Sequence, residues 1–254
     1  MPRVRVRRLA ALAVTTLAPS FALAHNPQIQ IVNENGKIVT RGLFADGPYQ
    51  SHTAGQRAYA IPLVQRTLGD ANDGWYAAPN HASYPFAGPG AALVDGHFAA
   101  GSNLKVEFVG GLKLWNGSAF VDPGAEQLAV SSSALFTPTT ATTDAAPFPQ
   151  IALSAVTAAH DEHKTLRWRL LGDGASPNTP SDDGVYLAGF RLTSDQPGVA
   201  PSDPYYFLLS KNAPAPDQAA ALAFVNANLV PEPAAGLMVA IVCGHALAIR
   251  RRRH

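Results

Sequence analysis

The 254-residue chain has one cysteine, Cys243, close to its C-terminus. The stretch from 25 to 230 therefore has no disulfide, no thiolate metal site and no cysteine nucleophile to work with. Charge is also scarce, at 15% Asp, Glu, Lys and Arg, and aromatic residues make up 8%. No Gly-x-Ser-x-Gly, P-loop or dinucleotide fingerprint occurs. The formal net charge of +1 hides a regional split. Removing four Arg from each end, together with Glu232, leaves 11 Lys+Arg and 17 Asp+Glu in 25–230, a net charge of −6. An acidic body without a basic patch excludes nucleic acid as the expected partner. What is abundant is apolar residues, at 47%. A body of this length buries about 70% of its unfolded surface, so burial alone is expected to hold it together.

The two ends read as address labels. Arg3, Arg5, Arg7 and Arg8 precede an apolar run over 9–23, broken by Pro19 and closed by Ala22-Leu23-Ala24. A basic start, a short apolar middle and a small-residue end predict a signal peptide over 1–24, with cleavage leaving His25 first. At the other end, Val230-Pro231-Glu232-Pro233 precedes residues 234–249, which carry no formal charge, and then Arg250, Arg251, Arg252 and Arg253. Sixteen helical residues reach ~24 Å, short of a ~30 Å hydrocarbon core. Arg side chains snorkelling from one end close part of that gap. The Arg cluster predicts a single C-terminal span with its end in the cytoplasm and the body outside.

The order Pro-Glu-Pro, apolar helix and Arg cluster resembles the PEP-CTERM sorting signal, over 230–254. The resemblance implies export, transient anchoring in the inner membrane, and recognition of the Pro-Glu-Pro region by an exosortase-type membrane protease. It also implies a later location at the cell surface or outside it, commonly among extracellular polysaccharide. Two residues of the apolar run depart from a plain span: His245 is polar, and Cys243 is read as a small apolar filler.

Between the labels, 25–229 is predicted to be all-β: a single β-sandwich or jelly-roll-like domain with one C-terminal helix. Gln28-Ile29-Gln30-Ile31-Val32 alternates, and Asn35-Gly36 separates it from Lys37-Ile38-Val39-Thr40. Asn-Gly between β-rich runs is a strong hairpin signal, because both central positions need φ > 0. Asn116-Gly117 repeats the pattern, and 104–121 reads as a meander turning at Gly110-Gly111. Further strand-like runs are 57–64, 128–135, 150–156, 165–171, 185–192 and 205–209, about ten strands in all. In 165–171, Leu166, Trp168 and Leu170 share one face and Arg167 and Arg169 a solvated one. A helix over 217–228, capped by Asp217, is expected against the sandwich edge. The stretches 131–149 and 172–184 read as surface loops, the first beginning as strand.

Candidate chemistry is thin, and the reading leans away from an enzyme. Paired catalytic carboxylates leave no linear signature, so they stay open. Six histidines fall in the body: His25, His52, His81, His97, His160 and His163. Signal cleavage would give His25 a free amine beside its imidazole, a chelate suited to copper by ligand type. With His160 or His163 added, that pattern resembles the histidine brace of lytic polysaccharide monooxygenases and periplasmic copper carriers. His160-Asp161-Glu162-His163 lacks the spacing of a helical zinc signature. Asp70-Ala71-Asn72-Asp73-Gly74 lacks that of an EF-hand. Asp173, Asp182 and Asp183 are candidates for calcium on a loop, or simply turn formers. Trp75, Tyr76 and Tyr84 are candidates to stack on sugar rings. The leading expectation is an exported structural or adhesive protein with no cofactor. The alternatives are a copper-binding module and a carbohydrate-binding module.

Overall fold

Ile29 and Ile31 alternate with polar neighbours on β1 (Gln28–Glu34), and both are buried. β2 (Lys37–Phe44) returns antiparallel, with Ile38 and Thr40 buried opposite. Asn35 (φ 53°) and Gly36 (φ 79°) make the two-residue turn, and Glu34 pairs with Lys37 across it. Both are left-handed, as the Asn-Gly pair predicts. This computed structural model describes residues 28–44, 51–53, 56–66, 74–77, 92–94, 97–131, 139–140, 150–158, 166–172 and 181–230.

Fifteen strands and one helix occur among the described residues, which are mostly β. β3 (Ser51–Thr53) and β6 (Ala92–Val94) flank the first hairpin in a four-stranded sheet ordered β3-β2-β1-β6. The other strands are β4 (Ala58–Arg66), β5 (Gly74–Ala77), β7 (Asn103–Phe108), β8 (Lys113–Trp115) and β9 (Phe120–Val121). They continue as β10 (Gln127–Ser131), β11 (Thr139–Thr140), β12 (Gln150–Ala155), β13 (Arg167–Leu171), β14 (Gly184–Ser194) and β15 (Tyr205–Lys211). They form an eleven-stranded sheet ordered β11-β10-β13-β5-β4-β15-β14-β7-β12, with β8 on β14 and β9 on β8.

β4 is the joint of this sheet. Residues 58–62 pair in parallel with β15, and residues 63–66 pair antiparallel with β5. Pro62 is the last residue of the first ladder, where its missing N–H does least harm as the strand changes partner. The two halves then meet face to face. Trp168 of β13 packs edge-on against Phe190 of β14 and Phe207 of β15, with ring centroids 4.8 Å away in each case. Neither β14 nor β15 is hydrogen-bonded to β13, so these contacts cross the core and do not run along the sheet.

The same core takes Tyr205, Phe207 and Leu209 from β15, while Leu208 between them belongs to a second apolar cluster on the opposite face. β14 splits likewise, with Tyr186, Ala188 and Phe190 inward and Val185 and Leu187 outward. Burial on both faces explains why these two strands read as near-continuous apolar runs. The outer face is covered by α1 (Ala215–Asn228), through Ala221 and Val225.

Several sequence expectations need correction. β7 and β8 do not form a meander. Both lie along β14, β7 against Phe190–Ser194 and β8 against Tyr186 and Leu187, with the intervening residues jogging between them. At Asn116-Gly117 only Gly117 is left-handed. Asn116 Oδ1 accepts from the N–H groups of Ser118 and Ala119 and closes a longer loop. Arg169 is not solvated: it is buried, its guanidinium 5.7 Å from the Tyr76 ring centroid. Pro214, not Asp217, stands at the N-cap of α1, and Asp217 lies inside the first turn. The helix rests on a sheet face, not an edge. Thr139–Thr140, inside an expected loop, is a short strand on β10.

Candidate functional site

The densest polar cluster among the described residues sits where β14 begins and β15 ends. Lys211, last residue of β15, is buried, although lysine is rarely buried without a partner. Its Nζ donates to the Ser181 carbonyl and lies 3.1 Å from Asp183 Oδ1. It also sits 5.3 Å from the centroid of the Trp75 ring, a cation–π distance. Asn212 Nδ2 donates to the same Asp183 oxygen at 3.1 Å. Those two hydrogen bonds, Lys211's first, hold the Asp183 carboxyl below the usual carboxylate range.

A second layer lies behind. Glu126 is buried, and its Oε1 accepts from the Asp182 N–H at 2.8 Å and the Tyr186 hydroxyl at 3.2 Å. The one Tyr186 hydroxyl proton is shared between that oxygen and the Asp182 carbonyl, which lies closer at 2.7 Å. Burial, and then the charge of Glu126, push the Tyr186 phenol well above its ordinary range. It stays neutral and does not serve as a base near neutral pH. Ser181 Oγ is buried with no hydrogen-bond partner among the described residues. Chemically, the cluster fixes one cation and one neutral phenol in place and clamps residues 181–183 to two strands.

The clamp has a pH signature. A carboxyl with a lowered folded pKa contributes stability above its unfolded pKa and loses it as pH falls through the folded value. Asp183→Asn is therefore expected to lower stability slightly at neutral pH, since the pair is exposed on the Asp183 side. The gap from wild type should close below the carboxylate range, ~4. Urea midpoints across that range check this; a gap independent of pH contradicts it.

The sequence-predicted sites fare unevenly. Trp75 and Tyr76 are consecutive on β5 and so point to opposite faces of the sheet. Trp75 packs partly buried against the core beneath Lys211, and Tyr76 is fully buried. The two rings do not make one sugar platform; Tyr84 lies outside the described residues. His25, His160 and His163 also lie outside them, as does Asp173. The Asp183 carboxylate is held by Lys211 and Asn212, whereas Asp182 is exposed and enters the network through its backbone N–H and carbonyl. Among the described residues, no group of three His, Cys, Asp or Glu is placed to hold a metal ion. His97 is exposed, and its carbonyl accepts from Asn33 Nδ2 at 3.1 Å.

Of the sorting segment, Val230 is described and Pro231, Glu232 and Pro233 are not, nor are Arg250, Arg251, Arg252 and Arg253. Val230 closes the helix end, its N–H donating to the Val225 carbonyl at 3.1 Å, and it packs on the outer apolar cluster. The packed body therefore runs through 230. No helix among the described residues is long and apolar enough to cross a membrane; the expected span 234–249 lies outside them. The Lys211 cluster was hard to see in sequence because its hydrogen-bonded members stand up to 60 positions apart. The only local hint was a lysine ending an apolar strand. No protein-family model matches the chain, and no curated protein is similar to it in sequence.

Proposed function

We propose that the chain is the precursor of an exported surface protein, whose β-sandwich body is sorted and transiently anchored through a PEP-CTERM-like signal. The observation that carries this is the order of three parts in 230–254: Pro231-Glu232-Pro233, sixteen residues without formal charge, and four Arg. The basic, apolar and small-residue order of 1–24 supports export independently. In this reading 1–24 is removed, 234–249 enters the inner membrane, and an exosortase-type protease grips the extended segment around Glu232. Pro231 and Pro233 each lack an N–H and disfavour helix in what precedes them, so the segment presents itself as an extended strand. The body then serves a structural or adhesive role at the cell surface or in extracellular polysaccharide.

Cell fractionation tests the anchor. The full chain is expected in the membrane fraction, and a chain ending at 230 in the soluble exported fraction with an unchanged melting transition. A full chain that stays soluble in the cytoplasm contradicts the reading, and so does aggregation of the shortened chain, because the tail would then belong to the core.

A further inference from the structure

Where the β8–β9 hairpin meets α1, three aromatic rings form a partly exposed group. Trp115 lies 5.1 Å from Phe120 and 5.4 Å from Phe224, centroid to centroid, and Phe120 lies 5.9 Å from Phe224. Val121, the next residue on β9 and at 40% the one exposed large hydrophobic residue among those described, points to the opposite face with Leu114, so this face is made by the rings. Leu229 and Val230, at the helix end, belong to the same cluster. The rings are tilted by 56–67° to one another, which is poor for stacking a flat sugar. The Trp115 indole N–H is buried with no hydrogen-bond partner among the described residues. That is a standing cost for a group that normally finds an acceptor.

We infer that this aromatic face rests on the lipid headgroup–acyl boundary while the precursor is anchored. The inference depends on the proposed reading that residues 234–249 enter the membrane. Distance then constrains the body. Phe224 lies four residues before the end of α1 at Asn228, ~6 Å along the axis, and two further residues reach Val230, at most ~7 Å more. Four further residues carry the chain to Ala234, at most ~14 Å even when fully extended. The aromatic face is thus tethered within a short reach of the point where the apolar run begins. Tryptophan and other amphipathic rings favour the membrane interface, where one part of the ring is apolar and the other meets polar oxygens. A small outward turn of Trp115 at that depth gives its N–H a headgroup acceptor. Partly exposed Lys113, two residues earlier on the same strand, adds a cation on this side; exposed Asp122 opposes it.

The three tryptophans make the test specific. Trp75, Trp115 and Trp168 all lie in the body and none in the tail, so insertion of 234–249 alone gives no tryptophan signal. Trp168 is fully buried and Trp75 packs against the core. The full chain is bound to phosphatidylethanolamine–phosphatidylglycerol vesicles carrying bromine near the headgroup, and its emission is compared with unbrominated vesicles and with acrylamide quenching. Loss of about one third of the tryptophan emission is expected, one residue of three. Trp115→Phe, which keeps an aromatic ring in the group, should abolish that loss while the chain still floats with the vesicles. A vesicle-bound chain with no bromine quenching, and acrylamide access as in solution, overturns the inference and leaves the anchor reading intact. Protection from acrylamide without bromine quenching overturns it in favour of a second protein copy on this face. A chain that does not float with vesicles overturns both readings together.

Discussion

Trp168→Ala is expected to cost about 3–5 kcal/mol of folding stability, the range for emptying a large aromatic site in a core. The ring is fully buried and sits edge-on to Phe190 and Phe207, which reach it across the core from strands that do not pair with β13. It is the peg that holds the two halves of the bent eleven-stranded sheet together, so its loss leaves a cavity that flanking strands cannot close without shifting a ladder. Trp168→Phe should recover a large part of the loss, because a smaller ring retains one of the two edge contacts. Urea unfolding of residues 25–230, followed by far-ultraviolet circular dichroism, measures both. A cost below ~1 kcal/mol for the alanine change would mean that the halves are not packed through this ring.

Gly36→Ala is expected to cost about 2–3 kcal/mol, combining left-handed strain with a steric conflict. Gly36 has φ 79°, and a Cβ there would lie 2.9 Å from the Gly198 carbonyl oxygen. That oxygen belongs to backbone and has little freedom to give way. The neighbourhood is tied down on both sides: the Ala200 N–H donates to the Gly36 carbonyl at 2.7 Å, and the Ile38 N–H donates to the Ala200 carbonyl at 3.0 Å. These bonds join the first hairpin to the segment between β14 and β15, so pushing them apart loosens the small sheet from the large one. The same unfolding measurement applies, with Gly101→Ala as a control. Gly101 has φ 89° but open space around the added carbon, so it pays the conformational strain without the clash. Equal losses at the two positions would remove the 36–198 approach from consideration.

Gly36 also shows what kind of information the sequence held. Asn35-Gly36 announced its hairpin because the demand, φ > 0 at two successive residues, is met or failed within four positions. Asn116-Gly117 carries the same letters, but the Asn116 side chain closes its loop with two hydrogen bonds of its own, and one left-handed residue suffices. The strands over 57–64, 150–156 and 185–192 were legible as runs. Their partners were not: β7 and β8 pair with β14, a segment far along the chain, and no local pattern encodes that choice. β5 went unseen because a four-residue strand beginning at Gly74 shows no alternation to read. Trp75 and Tyr76 consequently looked like loop aromatics free to bind sugar, whereas the sheet turns one to the core and buries the other. Arg169 looked solvated by period-2 alternation, which holds for a sheet with one wet face, and Tyr76 fills that face here. Lys211 left only the hint of a lysine ending an apolar strand, and Glu126 left none, since a buried polar network is defined by distance in space.

The claim of export followed by sorting is tested most directly by intact-mass spectrometry of the protein recovered from the surface or medium of its native host. The expected species begins at His25 and ends at or near the Pro231–Pro233 segment, without residues 234–254. A surface pool dominated by a chain that retains both Met1 and His254 would contradict it.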